Sequence, residues 1–172
     1  MADGEIVTVA SGPAVRRRMT SGELAIWRSL IDTTAELRRV LGAELEESSL
    51  SPADYQVLLA LSETEGRRLR SSELARTIDW ERSRLSHHLK RMEERRLIRR
   101  EHCVTDSRGA EVILTAEGAR TFRRATAPHM RAIKKHFADA LTPEQLEALA
   151  GILRALQSHH HPYLVAKGAE RT

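Results

Sequence analysis

The stretch DWERSRLSHHLKRMEERRLIRR, residues 79–100, combines a thin apolar line with many basic and hydrogen-bonding side chains. At about 100° per residue, Leu85, Leu89 and Met92 fall within one narrow sector of a helix. Ser83, His87 and the arginines lie outside this sector, whereas His88 falls beside it. We therefore predict a helix that is held by one apolar stripe and that presents cationic and polar side chains to solvent.

The residues on either side of this helix predict a winged helix-turn-helix. A short helix opens at Ser71-Ser72-Glu73, and Asp79-Trp80 forms a tight turn before the exposed helix. After it, residues 98–104 and 110–114 read as two short strands, and Asp-Ser-Arg-Gly at 106–109 reads as the turn between them. The order of elements is therefore helix, turn, exposed basic helix and hairpin, with an arginine at the hairpin tip.

This layout favours a DNA-binding surface. Serines at the start of the exposed helix can reach phosphates, while Arg84, His87 and Arg91 can reach base edges or the backbone of a duplex major groove. Arg108 at the hairpin tip can enter a narrow minor groove, where the potential is most negative, and Asp106 can hold its guanidinium in position.

The distribution of charge agrees with a phosphate-facing surface. From Trp80 to Gly109 the chain has nine Lys and Arg and five Asp and Glu, so 9 − 5 gives +4. The whole chain also has a net charge of +4, so the other basic and acidic residues cancel. The excess positive charge is therefore concentrated in the predicted helix and hairpin.

The rest of the chain is expected to be mostly α-helical, with the β-hairpin wing as its one small sheet. Residues 1–19 lack periodicity and read as a flexible arm. Capping signals at Thr20, Thr115 and Thr142 predict long helices over 20–48 and 115–157, which we interpret as dimerisation helices. The DNA-binding lobe is expected to span 51–114, and residues 158–172 to form a flexible tail.

Composition argues against several other classes of protein. Cys103 is the single cysteine, so no intramolecular disulfide is possible and a reducing compartment is expected. No apolar run approaches the roughly 20 residues of a membrane-spanning helix, and the N-terminus lacks a secretory pattern, so we expect a cytoplasmic protein with no membrane partner. Ser86 and His87 are adjacent and do not face each other on a helix, and nucleotide-binding and hydrolase motifs are missing, so no enzyme activity and no cofactor are predicted.

Residues 69–118, LRSSELARTIDWERSRLSHHLKRMEERRLIRREHCVTDSRGAEVILTAEG, resemble the DNA-binding lobe of the MarR (multiple antibiotic resistance regulator) family. The Asp-x-Arg-Gly wing and the following Leu-Thr-x-x-Gly carry the resemblance, which extends over roughly Gly22 to Leu156. It implies a homodimeric repressor that binds double-stranded DNA at a pseudo-palindromic operator, with one recognition helix in each of two successive major grooves. Position 88, usually apolar in this pattern, is a histidine here, and we expect it to bond locally instead of contacting DNA. The residues expected at the DNA are Ser72, Arg82, Ser83, Arg84, Ser86, His87, Arg91, Asp106 and Arg108.

The resemblance also implies a regulatory ligand. In the family a small aromatic or anionic effector binds between the dimerisation helices and the DNA-binding lobe, and Trp27, Arg28 and Tyr55 are candidates to line that cleft. Two alternatives remain open at this point. A metal-responsive regulator would use His129, His136 and the triplet at 159–161, and a redox-responsive one would use Cys103.

Overall fold

The structure, a computed structural model, describes residues 18–102 and 110–169, and the side chains of 18–101 and 110–159. Over these residues the chain is mostly helical with a small antiparallel sheet, so the predicted winged helix-turn-helix fold is confirmed. The predicted arm falls almost wholly on residues 1–17, outside the described residues. The elements are α1 (Ser21–Glu47), α2 (Pro52–Ser62), β1 (Arg68–Arg70), α3 (Ser71–Thr77), α4 (Arg82–Glu94), β2 (Ile98–His102), β3 (Ala110–Leu114), α5 (Ala116–His136) and α6 (Pro143–Ala169).

Contacts divide the chain into two units, Met1–Glu36 and Leu37–Thr172. The first contains most of α1, whose apolar side chains Ile26, Trp27 and Leu30 are exposed. The second contains the end of α1 and all later elements, including the whole DNA-binding lobe. Within the described residues, no helix has the length and apolar character needed to cross a bilayer.

Local capping interactions start the helices where the sequence predicted. At α1, the Glu23 carboxylate accepts from the Thr20 amide at 2.7 Å, and the Glu23 amide donates to the Thr20 hydroxyl at 3.2 Å. The same reciprocal pair forms between Ser51 and Asp54 at α2, at 2.9 and 3.1 Å. Each cap satisfies backbone groups that a helix start leaves without partners.

The core lies between α2, α3, α4 and the sheet, where Leu58, Leu74, Leu85 and Val112 are at most 1% exposed. The buried side of α2 is wider than a single amphipathic stripe. Leu58 is buried, but Tyr55 and Leu59 are half-buried, while Val57 and Leu61 are completely buried. Because α2 packs against α3, α5 and β3, it is covered on more sides than a simple amphipathic pattern assumes.

The sheet has a third strand that the sequence did not predict. β1 pairs antiparallel with β3, with Arg68 opposite Ile113 and Arg70 opposite Glu111, and β3 also pairs with β2. The segment 63–70 is mostly polar, and its sequence has no apolar alternation that would predict a strand. The strand forms because β1 satisfies the backbone groups of β3 on the side opposite β2, and Arg68 adds an ion pair to Glu111 at 3.4 Å.

Gly118 joins the base of the wing to α5. The Thr115 hydroxyl accepts from the Gly118 amide at 2.9 Å and lies 3.0 Å from the Leu97 carbonyl. A Cβ at position 118 would lie only 1.9 Å from that carbonyl oxygen. The glycine of the Leu-Thr-x-x-Gly motif is therefore required by the close approach of two backbones.

The last helix continues past the boundary predicted at 157. The backbone of α6 is helical to Ala169, where the sequence was expected to form a flexible tail from 158. Propagating a helix that has already been nucleated adds one backbone hydrogen bond for most residues, which favours continuation past 157 although His159 and Pro162 are weak helix formers.

Candidate nucleic-acid interface

Helix α4 is oriented by its apolar stripe. Leu85 and Leu89 are 1% exposed and Met92 is completely buried, as predicted. The helix packs with this side against α3 and β2. The side chains that the stripe leaves in solvent are Arg82, Ser83, Arg84, Ser86, His87, Lys90 and Arg91.

An ion pair attaches the end of α4 to the wing. The Glu93 carboxylate accepts from the amide of Arg100 at 2.9 Å and from its guanidinium at 2.8 and 2.6 Å. The hydrogen bond from the Arg100 side chain is the main reason that the pKa of Glu93 lies below its usual value. Because Arg100 belongs to β2, this contact restrains the recognition helix relative to the wing strands.

Trp80 holds one of the predicted DNA-contacting arginines. The guanidinium carbon of Arg84 lies 4.3 Å from the centre of the indole ring, which is itself only 9% exposed. An arginine stacked on an aromatic face loses less freedom when it binds a partner. The sequence analysis did not single out Trp80 for this role, although the four-residue spacing to Arg84 is the signal that would have found it.

His88 lies inside the lobe, as its position beside the apolar stripe predicted. It is 7% exposed, and its ring meets the ring of Trp80 edge-on at 5.3 Å. Nδ1 lies 3.0 Å from the guanidinium of Arg91, and Nε2 lies 3.1 Å from Oδ1 of Asp54. The second contact is an ion-pair distance without good hydrogen-bond alignment, and neither atom has another partner among the described residues. His88 thus bonds locally and does not reach the solvent-facing side of α4.

Asp54 is the buried anion at the centre of this cluster. It is 2% exposed, and its Oδ2 accepts from Arg95 at 2.8 Å and from the Ser51 amide. Burial alone would raise the pKa of the Asp54 carboxyl. The contacts with His88, Arg95 and Ser51 outweigh burial and hold that pKa well below its usual value. From the sequence alone Asp54 can be recognised only as an acid in the first turn of a helix, because its partners Arg95 and His88 are distant along the chain.

A cationic cleft of about 200 Å³ lies where α3, α4 and the sheet meet. It brings together three of the predicted residues, Ser72, Arg82 and Ser86. Arg70 and Arg100, which the sequence analysis did not propose, also line it. Serine hydroxyls beside arginines are the groups that bind backbone phosphates, so the cleft extends the surface presented by α4.

Several predicted residues lie outside the described residues. Asp106 and Arg108 at the wing tip and Cys103 at its base fall within 103–109, and the side chains at 160 and 161 are also outside them. Elsewhere in the part of the chain that the structure describes, no three His, Cys, Asp or Glu side chains come close enough to hold a metal ion.

The candidate effector residues occupy both units. Trp27 and Arg28 are exposed side chains of the first unit. Tyr55 belongs to the second, where its ring packs on Phe122 at 5.0 Å and on His129 at 4.7 Å. Burial lowers the pKa of His129, and its Nδ1 is buried without a hydrogen-bond partner among the described residues. Tyr55 thus forms part of a small aromatic cluster between α2 and α5.

Comparisons with known proteins agree with this geometry. Residues 48–109 match the family model described as MarR family. AbsC from Streptomyces coelicolor, a MarR family transcriptional regulator, is 37% identical, with a TM-score of 0.77 over 85% of this chain and 99% of that one. Sco3205 from the same organism, solved in complex with DNA, is 38% identical, with a TM-score of 0.76 over 83% of this chain and 91% of that one.

A more distant structure shows the same fold. The organohalide-sensing regulator RdhR-CbdbA1625, solved in a 2,4-dichlorophenol-bound form, is 24% identical, with a TM-score of 0.74 over 91% of this chain and 90% of that one. No match was found among the curated proteins.

Proposed function

The chain belongs to the MarR family of transcriptional regulators, and we propose that it acts as a homodimeric repressor at a pseudo-palindromic DNA operator. The observation that carries this proposal is the exposed face of α4. Its buried side is fixed by Leu85, Leu89 and Met92, while its other sides present serines, arginines and His87 to solvent. A rigid helix with such side chains fits the major groove of a duplex.

The DNA contacts are assigned by reach and chemistry. Ser72, Arg82 and Ser86 surround the cationic cleft, which suits a backbone phosphate. Ser83, Arg84, His87 and Arg91 are exposed along α4 and suit base edges or the adjoining backbone. We assign Arg108, with Asp106 beside it, to the minor groove because of its place at the turn of the wing sequence. The DNA-bound relative Sco3205 supports this use of the fold.

Exposed apolar side chains support the homodimer. In α6, Ile152, Leu153 and Leu156 are 58%, 45% and 44% exposed, and in α1 Ile26 is 73% exposed. Large apolar side chains gain about 1.5–3 kcal/mol each when they leave water, so clusters of them favour a partner surface. A second copy of the chain is the partner that places two recognition helices about 34–36 Å apart, one turn of duplex.

We further propose that a small aromatic or anionic effector releases the protein from DNA. Trp27 and Tyr55 offer flat apolar rings and Arg28 offers a fixed cation, which are suitable groups for such a ligand. The structure of a relative with 2,4-dichlorophenol bound supports an aromatic effector. A regulator of this kind acts where the operator is, so we place its activity in the cytoplasm.

The test begins with selection of bound sequences from a random duplex pool. Sedimentation should then show two protomers on the selected duplex, and the sequence should have two inverted half-sites. Leu153→Glu places a charge on the exposed apolar face of α6 and should give a monomer with weak DNA binding. Ser158→Glu, at an exposed position on the opposite side of the same helix, is the matched control and should remain a dimer. A folded wild-type monomer at micromolar concentration, or a selected site without inverted symmetry, would contradict the proposal.

A further inference from the structure

The two ring nitrogens of His88 face groups of opposite hydrogen-bonding character. Nδ1 lies 3.0 Å from Nη2 of Arg91, and Nε2 lies 3.1 Å from Oδ1 of Asp54. The imidazole therefore connects a buried carboxylate to an exposed cation on the recognition helix.

The groups that face His88 determine which of its two ring nitrogens carries the proton. A guanidinium has only donors, so the atom that faces Arg91 must be an acceptor, and Nδ1 must carry a lone pair. In a neutral imidazole the proton is then on Nε2, where it points towards the Asp54 carboxylate.

Asp54 cannot move away from this arrangement. Its backbone is part of the capping box with Ser51, and its Oδ2 accepts from Arg95 at 2.8 Å. Arg95 in turn donates to the Ser49 carbonyl at 2.5 Å. The corner between α1 and α2 therefore fixes the carboxylate, and Oδ1 of this carboxylate lies 3.1 Å from Nε2 of His88.

We propose that His88 is a positioning residue for DNA recognition. With its proton on Nε2, 3.1 Å from Oδ1 of Asp54, it accepts from the Arg91 guanidinium at Nδ1 and keeps this side chain oriented before DNA arrives. The inference rests on the proposed function, in which Arg91 contacts DNA. It also explains the unusual histidine at position 88, because an apolar side chain there would offer Arg91 no acceptor.

The surroundings of the ring are consistent with this role. A cleft of about 430 Å³ beside it is lined by the charged side chains of Glu46, Asp54, Arg91 and Arg95. The rings of Trp80 and His88 meet edge-on. The guanidinium of Arg84 lies over the indole of Trp80. Among the residues that the structure describes, Arg91 is the cation within hydrogen-bond distance of Nδ1 of His88.

The first experiment reads the tautomer on the free, full-length protein. In a two-bond ¹H–¹⁵N correlation spectrum with ¹⁵N-labelled histidine, the His88 signals are assigned by their loss in His88→Asn. At about pH 7.5, where an ordinary histidine is neutral, we expect the Nε2–H pattern. The Nδ1–H pattern, or the averaged pattern of a free histidine, would overturn the proposal whatever the DNA results.

The second experiment measures affinity for the duplex selected from the random pool. His88→Leu and Arg91→Ala should each weaken binding roughly tenfold, about the effect of one immobilised side chain, and the double variant should be no weaker than either. His88→Asn should rescue much of the loss, because its side-chain oxygen lies close to the position of Nδ1. Thermal melts verify that each variant is folded.

Lys90→Ala is the matched control, since Lys90 is an exposed neighbouring cation without a contact to His88. The fold-loss of DNA affinity caused by Lys90→Ala should multiply with the fold-loss caused by His88→Leu when the two changes are combined. If the effects of Arg91→Ala and His88→Leu multiply as well, the positioning role is wrong. If the wild-type protein binds every duplex equally while His88 shows the Nε2–H pattern, the proposed function is wrong but the tautomer assigned to His88 is correct.

Discussion

Replacing the buried anion Asp54 by asparagine should destabilise the protein in a pH-dependent way. The variant keeps the size of the side chain but places an amide where the carboxylate accepts from Arg95 and from the Ser51 amide and lies 3.1 Å from Nε2 of His88. Breaking a buried ion pair costs about 3–5 kcal/mol. Because the Arg95 side chain is 45% exposed and regains water, we expect the lower end of this range, about 3 kcal/mol at pH 7.

The pH dependence follows from the depressed pKa of Asp54. Its ordinary value is 3.8, and the folded protein holds it lower. The unfolded chain therefore takes up the proton first as the pH falls, so the carboxylate stabilises the fold fully above the unfolded pKa and loses this effect below it. The difference in unfolding free energy between wild type and Asp54→Asn should be constant from about pH 5 to 7 and should shrink below about pH 4.

Urea unfolding at several pH values, followed by circular dichroism, measures this difference. Asp32→Asn removes an exposed acid from α1 and is the matched control, with an expected change within about 0.5 kcal/mol. A loss for Asp54→Asn that is no larger than this control would refute the stabilising role of the carboxylate. A large loss with the same value at pH 7 and at about pH 3.5 would refute the ionised state assigned to it.

Three other changes give measurable outcomes. Leu89→Ala should lower the unfolding free energy by about 2–5 kcal/mol, because this side chain is 1% exposed. An unchanged melting temperature would contradict the assignment of Leu89 to the buried face of α4. Gly118→Ala should lower the unfolding free energy by about 1–3 kcal/mol, because the added Cβ would meet the Leu97 carbonyl. In the control variant Gly22→Ala the added Cβ meets only the Thr20 hydroxyl, at 4.0 Å, and the melting temperature should stay close to that of the wild type. Arg108→Ala should weaken DNA binding by about 1–3 kcal/mol and reduce its salt dependence while the circular dichroism spectrum is unaltered, and equal affinity at moderate salt would remove the wing from the mechanism.

Local signals explain what the sequence predicted well. The reciprocal caps at Thr20 and Ser51 involve residues three positions apart, so they can be read directly from the chain. The buried stripe of α4 follows from helical periodicity alone. The positions of Leu85 and Leu89 needed no knowledge of the elements that cover them.

Contacts between distant residues explain what it missed. β1 forms because its backbone pairs with that of β3, where Arg68 lies opposite Ile113, and no apolar alternation in 63–70 predicts a strand. Arg95 reaches Asp54 across 41 residues, so the buried anion appeared to be only a helix-start acid. The packing of Arg84 on Trp80 was within reach, since the two residues are four apart, but it depends on the turn at Asp79, where φ is +51°.

The central claim is that the exposed face of α4 reads base sequence, and it is tested most directly by comparing two affinities of the same variants. Arg84→Ala and His87→Ala are measured, at one salt concentration, on the selected duplex and on a random duplex of equal length. We expect each to reduce the specific affinity by about 1–3 kcal/mol while the affinity for random duplex changes little, because a lost base contact is lost only at the operator. Equal weakening on both duplexes would mean that these residues hold only phosphates, and that the exposed face of α4 does not read the sequence.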